Sequence, residues 1–414
     1  MSYKVSHRDL CRLCNSSEVS LVVELKPIPP QELYFDSAEE ARKVDKFPVD
    51  VYMCKKCGHV QQLDVLNTEA LWEDYTYYSA NSAGMVEHFE EVVENLMDVY
   101  RPPLNSLVID IGSNDGSLLK PFKSRGLQVL GIDPAKEIAS KASSEGIETI
   151  PELFTRDLAQ EIEKKYGLAS VITAFNSYAH ADNLEDLTNG IFDLLEDDGI
   201  FIFEVQYLLD VVDKMLVGTI FHEHMSHHSL KPLKTFLERL GLTIIRVSRF
   251  SNIQHGSLVG VAKKSGGVDK IDKSVEDLLN LEKENKLDDL STLRNFNDRL
   301  IEIKKNAAIL VSEWKDKGLT IAAYGAARSG QTLISQFGFE NIIEFILDDN
   351  PDKLYKYPAG EGVQVLPTEE LYKRRPDIVI ILAWVHSNNI IAKHQDFLKE
   401  GGNFVVISPE IRLV

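Results

Sequence analysis

Only four of the 414 residues are cysteine, and the longest apolar run, IVIILAWV from Ile378 to Val385, has eight residues. The first shortage excludes a disulfide-dense scaffold. The second falls well short of the roughly 20 residues a bilayer-spanning helix needs. Positive charge is also scarce, with 45 Lys and Arg against 64 Asp and Glu and a net charge of -19. Nucleic acid or an anionic lipid surface would have to bind against that field, so neither is an expected partner. An anionic ligand would need a local pocket of donors. The opening MSYKVSHRDL lacks the apolar stretch of a secretory signal, which predicts a cytoplasmic protein. What is present, 44% hydrophobic and 26% charged residues, is the composition of a packed globular chain. Its length exceeds one ordinary core, so two or three domains are expected.

The cysteines form two C-x-x-C pairs, Cys11-Arg-Leu-Cys14 and Cys54-Lys-Lys-Cys57, 39 residues apart with none left over. Each C-x-x-C turn points two thiolates at one cation, and two such turns close a tetrahedral shell, which is the pattern of structural zinc. Two disulfides or a redox pair would use the same residues, but the paired symmetry suits a metal better. His59 is expected in an exposed loop. Between the pairs KPIPPQELY, with three prolines, indicates a fixed extended connection. A zinc-binding N-terminal domain is expected over residues 1–70.

Ser106 to Leu119, SLVIDIGSNDGSLL, reads as a buried strand, a glycine turn and a helix start, and a second strand, LQVLGIDPA, carries Asp133 at its end. This is a βαβ unit of a mainly parallel sheet. The loop runs Asp110-x-Gly112-Ser-Asn114-Asp115-Gly116 and is not the G-x-G-x-x-G of a dinucleotide fold. Acids in and before a turn that cradles no pyrophosphate suit a cationic ligand, which favours S-adenosylmethionine over NAD. An acid after the second strand can accept both hydroxyls of a ribose. A tight turn without any ligand would look similar. Ala169 to Asn176 and Asp197 to Val205 read as further strands, whose ends release Asn176, His180, Glu204 and Gln206 toward the ligand edge.

The cysteine unit, DIGSNDGSLL, NSYAHAD, TIFHEHMSHHSL and a C-terminal YGAARSG together resemble the three-domain S-adenosylmethionine-dependent sugar C-methyltransferases, over almost the whole chain. The resemblance implies an α/β protein with three parts. They are the zinc-binding N-terminal unit, a central Rossmann-like class I methyltransferase domain over 71–265, and a helical linker with a C-terminal Rossmann-like substrate domain over 266–414. It implies methyl transfer to carbon 3, alpha to the ketone, of a nucleotide-linked keto-deoxysugar, with S-adenosylmethionine as cofactor and zinc in a structural role. On it Asp110, Gly112, Asn114, Asp115, Gly116, Asp133 and Asn176 bind the cofactor.

Carbon is a poor nucleophile until a proton beside a carbonyl is removed, so the reaction needs a base and an oxyanion stabiliser. A histidine beside a carboxylate suits the first need. The family motif Tyr-x-Glu-His maps Glu223 and His224 onto its last two positions, with His222 at the unspecified one and Phe221 where the tyrosine belongs. His224 is therefore expected as base and Glu223 as its orienter, with His180 and Tyr77 polarising the carbonyl and Tyr75 as a second aromatic candidate. A phenyl ring cannot replace a phenol's hydrogen bond, so Phe221 departs from the pattern. A metal at His224 and His228, spaced i, i+4, lacks a third ligand. His227 and His228 are expected in a solvated turn before the helix SLKPLKTFLERLG, striped by Leu230, Leu233, Leu237 and Leu240. His255, in SNIQHGSLVG, suits either substrate contact or a structural turn.

Residues 268–317 read as two helices, the second long. TIAAYGAARSGQTLI then starts a second strand-loop-helix unit, and IIEFILDDNPDK ends in Asp348 and Asp349. Gly325 and Arg328, with a helix start beyond, could hold a sugar-nucleotide phosphate. The family has a lysine where this chain has Ser329 and an asparagine where it has Val385. Methyl transfer to oxygen or nitrogen, a non-catalytic nucleotide-sugar binder and, more weakly, a two-Rossmann oxidoreductase remain alternatives. Either a monomer or a homodimer fits.

Overall fold

The computed structural model describes residues 3–67, 71–72, 77–81, 84–251, 253, 255–267, 270–326, 328–407 and 410–414. The chain sorts into two compact units. One holds Met1–Ser20, Met53–Asp210 and Met225–Asp289, the other Leu21–Tyr52, Val211–His224 and Leu290–Val414.

The first unit is built on a seven-stranded sheet. Its order is Leu242–Phe250, Ser257–Lys264, Leu195–Gln206, Ala169–Phe175, Leu107–Ile111, Gln128–Ile132 and Thr149–Ile150. LVIDI and ASVITAF are buried at every position, as apolar strands covered on both faces must be. The last five strands of that order pair in parallel, and the first two add an antiparallel edge. Helices close both faces with local signals the sequence supplies. Thr155 caps Arg156–Tyr166 by accepting from the Leu158 amide, and Asn183 caps Leu184–Leu194 by accepting from that of Asp186. Val108, Phe122, Val171 and Ile202 meet in the core. The helix Leu230–Arg239 buries Leu230, Leu233 and Leu237 as its stripe predicts.

The second unit repeats the plan with six strands in the order Val365–Pro367, Phe345–Asp348, Ile321–Tyr324, Ile378–Ile381, Asn403–Val406 and Arg412–Leu413. All but the last pair in parallel. The two expected helices are Lys273–Glu284, in the first unit, and the 27-residue Leu290–Asp316, in the second. Among the described residues no helix is long and apolar enough to cross a membrane.

The compact units interleave along the chain, and Leu21–Tyr52 belongs with the C-terminal segment. Gln336 bonds both the amide and the carbonyl of Lys26, at 2.9 and 2.8 Å, and the Tyr34 hydroxyl donates to the Ala326 carbonyl at 2.9 Å. The histidines expected in wet loops are instead buried: His59 0%, His227 3% and His228 0% exposed. Ser226–His227 pairs as a short strand with Val60–Gln61, and His59 Nε2 bonds the Ser226 hydroxyl at 3.2 Å. That pairing carries the histidines into the interior, where burial lowers their pKa, to about 4 for His227 and about 3 for His228.

Candidate active site

In the first unit the glycine loop follows the strand Leu107–Ile111. Gly112 has φ 76°, and a Cβ there would lie 2.4 Å from that of Ser177, so only glycine fits. Gly116, at φ 74°, is closed off in the same way by Ile147. Asp133 gathers the loop: one carboxylate oxygen accepts from the Asn114 amide and the other from that of Ala135, both at 2.9 Å. Asp110 accepts from the Thr173 hydroxyl at 2.6 Å. Burial raises both carboxyls, Asp110 to about 7 and Asp133 to about 6. Two buried acids whose ionisation is held back welcome a positive ligand, which would stabilise their charged form. The donor set and the glycine cradle therefore fit S-adenosylmethionine.

Asn114 and Asp115 also tie down the approach to the loop. Asn114 donates to the Tyr77 carbonyl and accepts from the Ser79 amide, and Asp115 accepts from that of Ala80, each at 2.9 Å. Tyr77 is thus brought to the cofactor loop through its backbone, while Tyr75 lies outside the described residues. Asn176 takes a left-handed φ of 55° at the end of its strand and donates its amide to the Glu204 carbonyl at 2.9 Å. Glu204 holds a buried network that the sequence reading missed: His88 Nε2 lies 2.9 Å from its carboxylate, and Ser257 donates to it. Glu204 was visible as a polar strand end, but its partners are 116 and 53 residues away in sequence. His180 ends a short turn, Tyr178–His180, its ring stacked on Trp72 at 5.5 Å. His255, at φ 66°, precedes Gly256, where a Cβ would meet Asp210 at 2.2 Å. That geometry is a tight structural turn.

In the second unit His224 is half-buried, and its Nδ1–H donates to the Thr219 carbonyl at 2.7 Å. A carbonyl can only accept, so the proton is on Nδ1 and the basic lone pair of the neutral ring is on Nε2. The Thr219 carbonyl, five residues back, thus orients the ring. Glu223 is buried, with Oε2 unpartnered and its carboxyl raised by burial against the opposing pull of Arg328. The Phe221 ring lies against His224 with centroids 4.1 Å apart and planes tilted by 33°, and the Arg328 guanidinium stands 5.9 Å from the Phe221 ring. His222 is 1% exposed and bonds the Phe47 carbonyl at 3.3 Å, so it is seated in the core of this unit rather than on its surface.

The second glycine loop lies in the same unit. Gly325 has φ 99°, with Ala383 Cβ 2.4 Å from where its own would stand. Asp348 accepts from the Ala326 amide at 2.7 Å. Arg328 and Lys353 flank Glu32 at 3.9 and 3.5 Å. Lys353 and Glu32 carried no motif and went unnoticed in the sequence.

The four cysteines also come together in the first unit. All four Sγ atoms lie within 4.8 Å of one another, with Cys11–Cys57 at 3.6 Å and Cys14–Cys54 at 3.5 Å. A tetrahedron with Zn–S bonds of about 2.3 Å has edges of about 3.8 Å, so the set fits zinc and is far too wide for disulfides.

Three family models match the chain. They are a zinc binding domain over residues 11–72, a methyltransferase domain over 86–247 and a C-methyltransferase C-terminal domain over 252–409. The C-methyltransferase NovU of Streptomyces niveus is 30% identical over 407 residues, 98% of this chain and 97% of its own. Among solved structures, magnesium protoporphyrin IX methyltransferase of Synechocystis PCC 6803, with bound SAM, is 17% identical. The match covers 43% of this chain and 79% of that one, at a TM-score of 0.34. A protein of Pyrococcus horikoshii OT3, PH0226, is 17% identical, with 46% and 95% covered at a TM-score of 0.37.

Proposed function

Because the chain belongs to the C-methyltransferase family, enzymes that take their methyl group from S-adenosylmethionine, we propose that it methylates the carbon alpha to the ketone, C-3, of a nucleotide-linked keto-deoxysugar. In this reading His224 Nε2 takes the proton from that carbon, and the C–H electron pair moves into the carbonyl to give an enolate. His180 and Tyr77 stabilise the oxyanion. The new C–C bond forms as the S–CH3 bond breaks, S-adenosylhomocysteine leaves, and the proton on His224 passes to water. Base catalysis of this kind is worth about 10²–10⁴-fold.

The observation that carries the reading is the hydrogen bond from His224 Nδ1 to Thr219, because it sets the tautomer a base needs. Glu223, close enough to Arg328 to feel its charge, is assigned to substrate contact or to tuning of that arginine. Gly325 and Arg328 are assigned to the nucleotide phosphates, Asp110 to Gly116 with Asp133 and Asn176 to the cofactor, and the cysteines to structural zinc. A cytoplasmic monomer or homodimer completes the proposal.

Phe221, where the family has tyrosine, supports a second reading, because transfer to oxygen or nitrogen asks less of an oxyanion partner. One experiment separates them. The protein is incubated with methyl-labelled S-adenosylmethionine and a panel of dTDP- and GDP-4-keto-deoxysugars, and products are read by mass spectrometry and carbon NMR. Label on C-3 is the expected result. Label on a heteroatom selects the second reading, and no label in any sugar nucleotide overturns both.

A further inference from the structure

We propose that Asp182, gripped by Arg8 and Arg12 of the N-terminal cysteine unit, is a positioning residue that holds the His180 loop in its working conformation. The inference rests on the reading of His180 as a carbonyl-polarising group. All the residues involved belong to the first unit.

Arg12 lies between two of the four cysteines, inside the Cys11–Cys14 turn. Its side chain is fully buried, and a buried guanidinium needs partners to offset its lost hydration. Its Nη1 donates to the carbonyls of Gln62 and Met225. Nε and Nη2 both face Asp182 Oδ1, at 3.2 and 3.1 Å. Arg8 Nη1 then reaches both carboxylate oxygens of Asp182 at 3.0 Å. One carboxylate, two residues beyond His180, is therefore held by two cations from the far end of the chain.

The rest of the loop is fixed independently. Tyr178 is buried, with its hydroxyl 2.6 Å from that of Thr188, and Trp72 stacks on the His180 ring with 26° between the planes. The backbone before His180 is thus set by Tyr178, the ring by Trp72 and the backbone after it by Asp182. Only the last of these depends on the turn that holds Cys11 and Cys14, so the geometry of the cysteine cluster is passed to His180 through Arg12. A group that stabilises a developing oxyanion must be placed to within a fraction of an ångström, and misplacement by about 1 Å can cost about 100-fold.

The test uses the full-length zinc-loaded protein, labelled with ¹⁵N-histidine, as wild type, Asp182→Asn and Asp182→Glu, with His180→Asn to assign the ring signal. The expected result is that D182N shifts and broadens the His180 resonances and changes their titration, that D182E restores them, and that zinc content and S-adenosylmethionine affinity stay unchanged. With the sugar nucleotide methylated in the panel, kcat should fall about 10- to 100-fold in D182N while the KM for S-adenosylmethionine holds. Added to H180N, D182N should have no further effect. Unchanged His180 resonances in D182N, loss of zinc from it, or losses that add to those of H180N would each overturn the proposal. If H180N alone leaves kcat intact, the role given to His180 fails, while the resonances still decide whether Asp182 positions the ring.

Discussion

The two glycine loops use the same backbone device with different charges around it: among the described residues, acids alone stand at the first, acids and bases at the second. In each, a left-handed glycine ends the first strand of a parallel sheet, its missing Cβ is the space taken by Ser177 or Ala383, and an aspartate from the next strand accepts from a loop amide. The first loop is surrounded by Asp110, Asp115 and Asp133, all buried. The second has Asp348 at the loop, with Arg328 and Lys353 nearby, both facing Glu32. The fold supplies a place where backbone can approach a ligand, and the side chains select the sign of that ligand. On the proposed function a sulfonium cofactor falls to the first loop and, through Arg328 and Lys353, a diphosphate to the second, which would divide donor from acceptor between them.

The largest effect that would sharpen this division comes from His224, which belongs with the second loop's unit. His224→Asn should lower kcat by about 10²–10⁴-fold while calorimetry finds S-adenosylmethionine binding unchanged. A loss of cofactor affinity would break the division. Next come the glycines. Gly112→Ala should cost about 2–4 kcal/mol, from the disfavoured φ and the overlap with Ser177, read as weakened cofactor affinity with sugar-nucleotide affinity preserved. Gly325→Ala should give the reverse pair, and equal effects on both ligands from either change would mean that the loops do not act separately. A smaller loss, about 1.5–3 kcal/mol of sugar-nucleotide binding that diminishes in high salt, is expected for Arg328→Gln, with the cofactor unaffected.

The smallest effect concerns protons. Asp110, at about 7 in the folded chain, has an unfolded value near 4, so between those pH values the native state carries a proton that the unfolded chain has lost. Its contribution therefore falls as pH rises from about 4 to 7 and is flat above, and Asp133, at about 6, adds the same sign over a narrower window. A cationic ligand reverses this by favouring the charged carboxylates. Calorimetry in buffers of different ionisation enthalpy should find up to about one proton released per S-adenosylmethionine at pH 6.5, falling in Asp110→Asn to the minor fraction that Asp133 supplies. Proton uptake would contradict the charge assignment of the first loop.

Much of this was legible in the chain itself. LVIDIGSNDG could only be a buried strand meeting a glycine turn, and four cysteines in two C-x-x-C pairs leave few other arrangements. The misreadings share a cause, which is dependence on partners remote in sequence. His59 and His227 are polar residues next to turn-like sequence, and nothing local announces that Ser226–His227 pairs with Val60–Gln61. The acceptor for His224 Nδ1 is likewise unannounced, being a backbone carbonyl that any residue at 219 would have supplied. The interleaving of the units was invisible because no shift in composition marks residues 20, 52, 210 or 224.

That interleaving bears on how the protein is made. The chain passes from one unit to the other at 20/21, 52/53, 210/211, 224/225 and 289/290, so neither unit is a continuous stretch of polypeptide. On the ribosome the first unit lacks part of its sequence until residue 289 has been translated, and the second until Leu290–Val414 has followed. Leu21–Tyr52 is synthesised among the first residues and must remain without its sheet while more than 200 residues of the other unit emerge. A segment whose partners arrive late is open to misassembly in the interval.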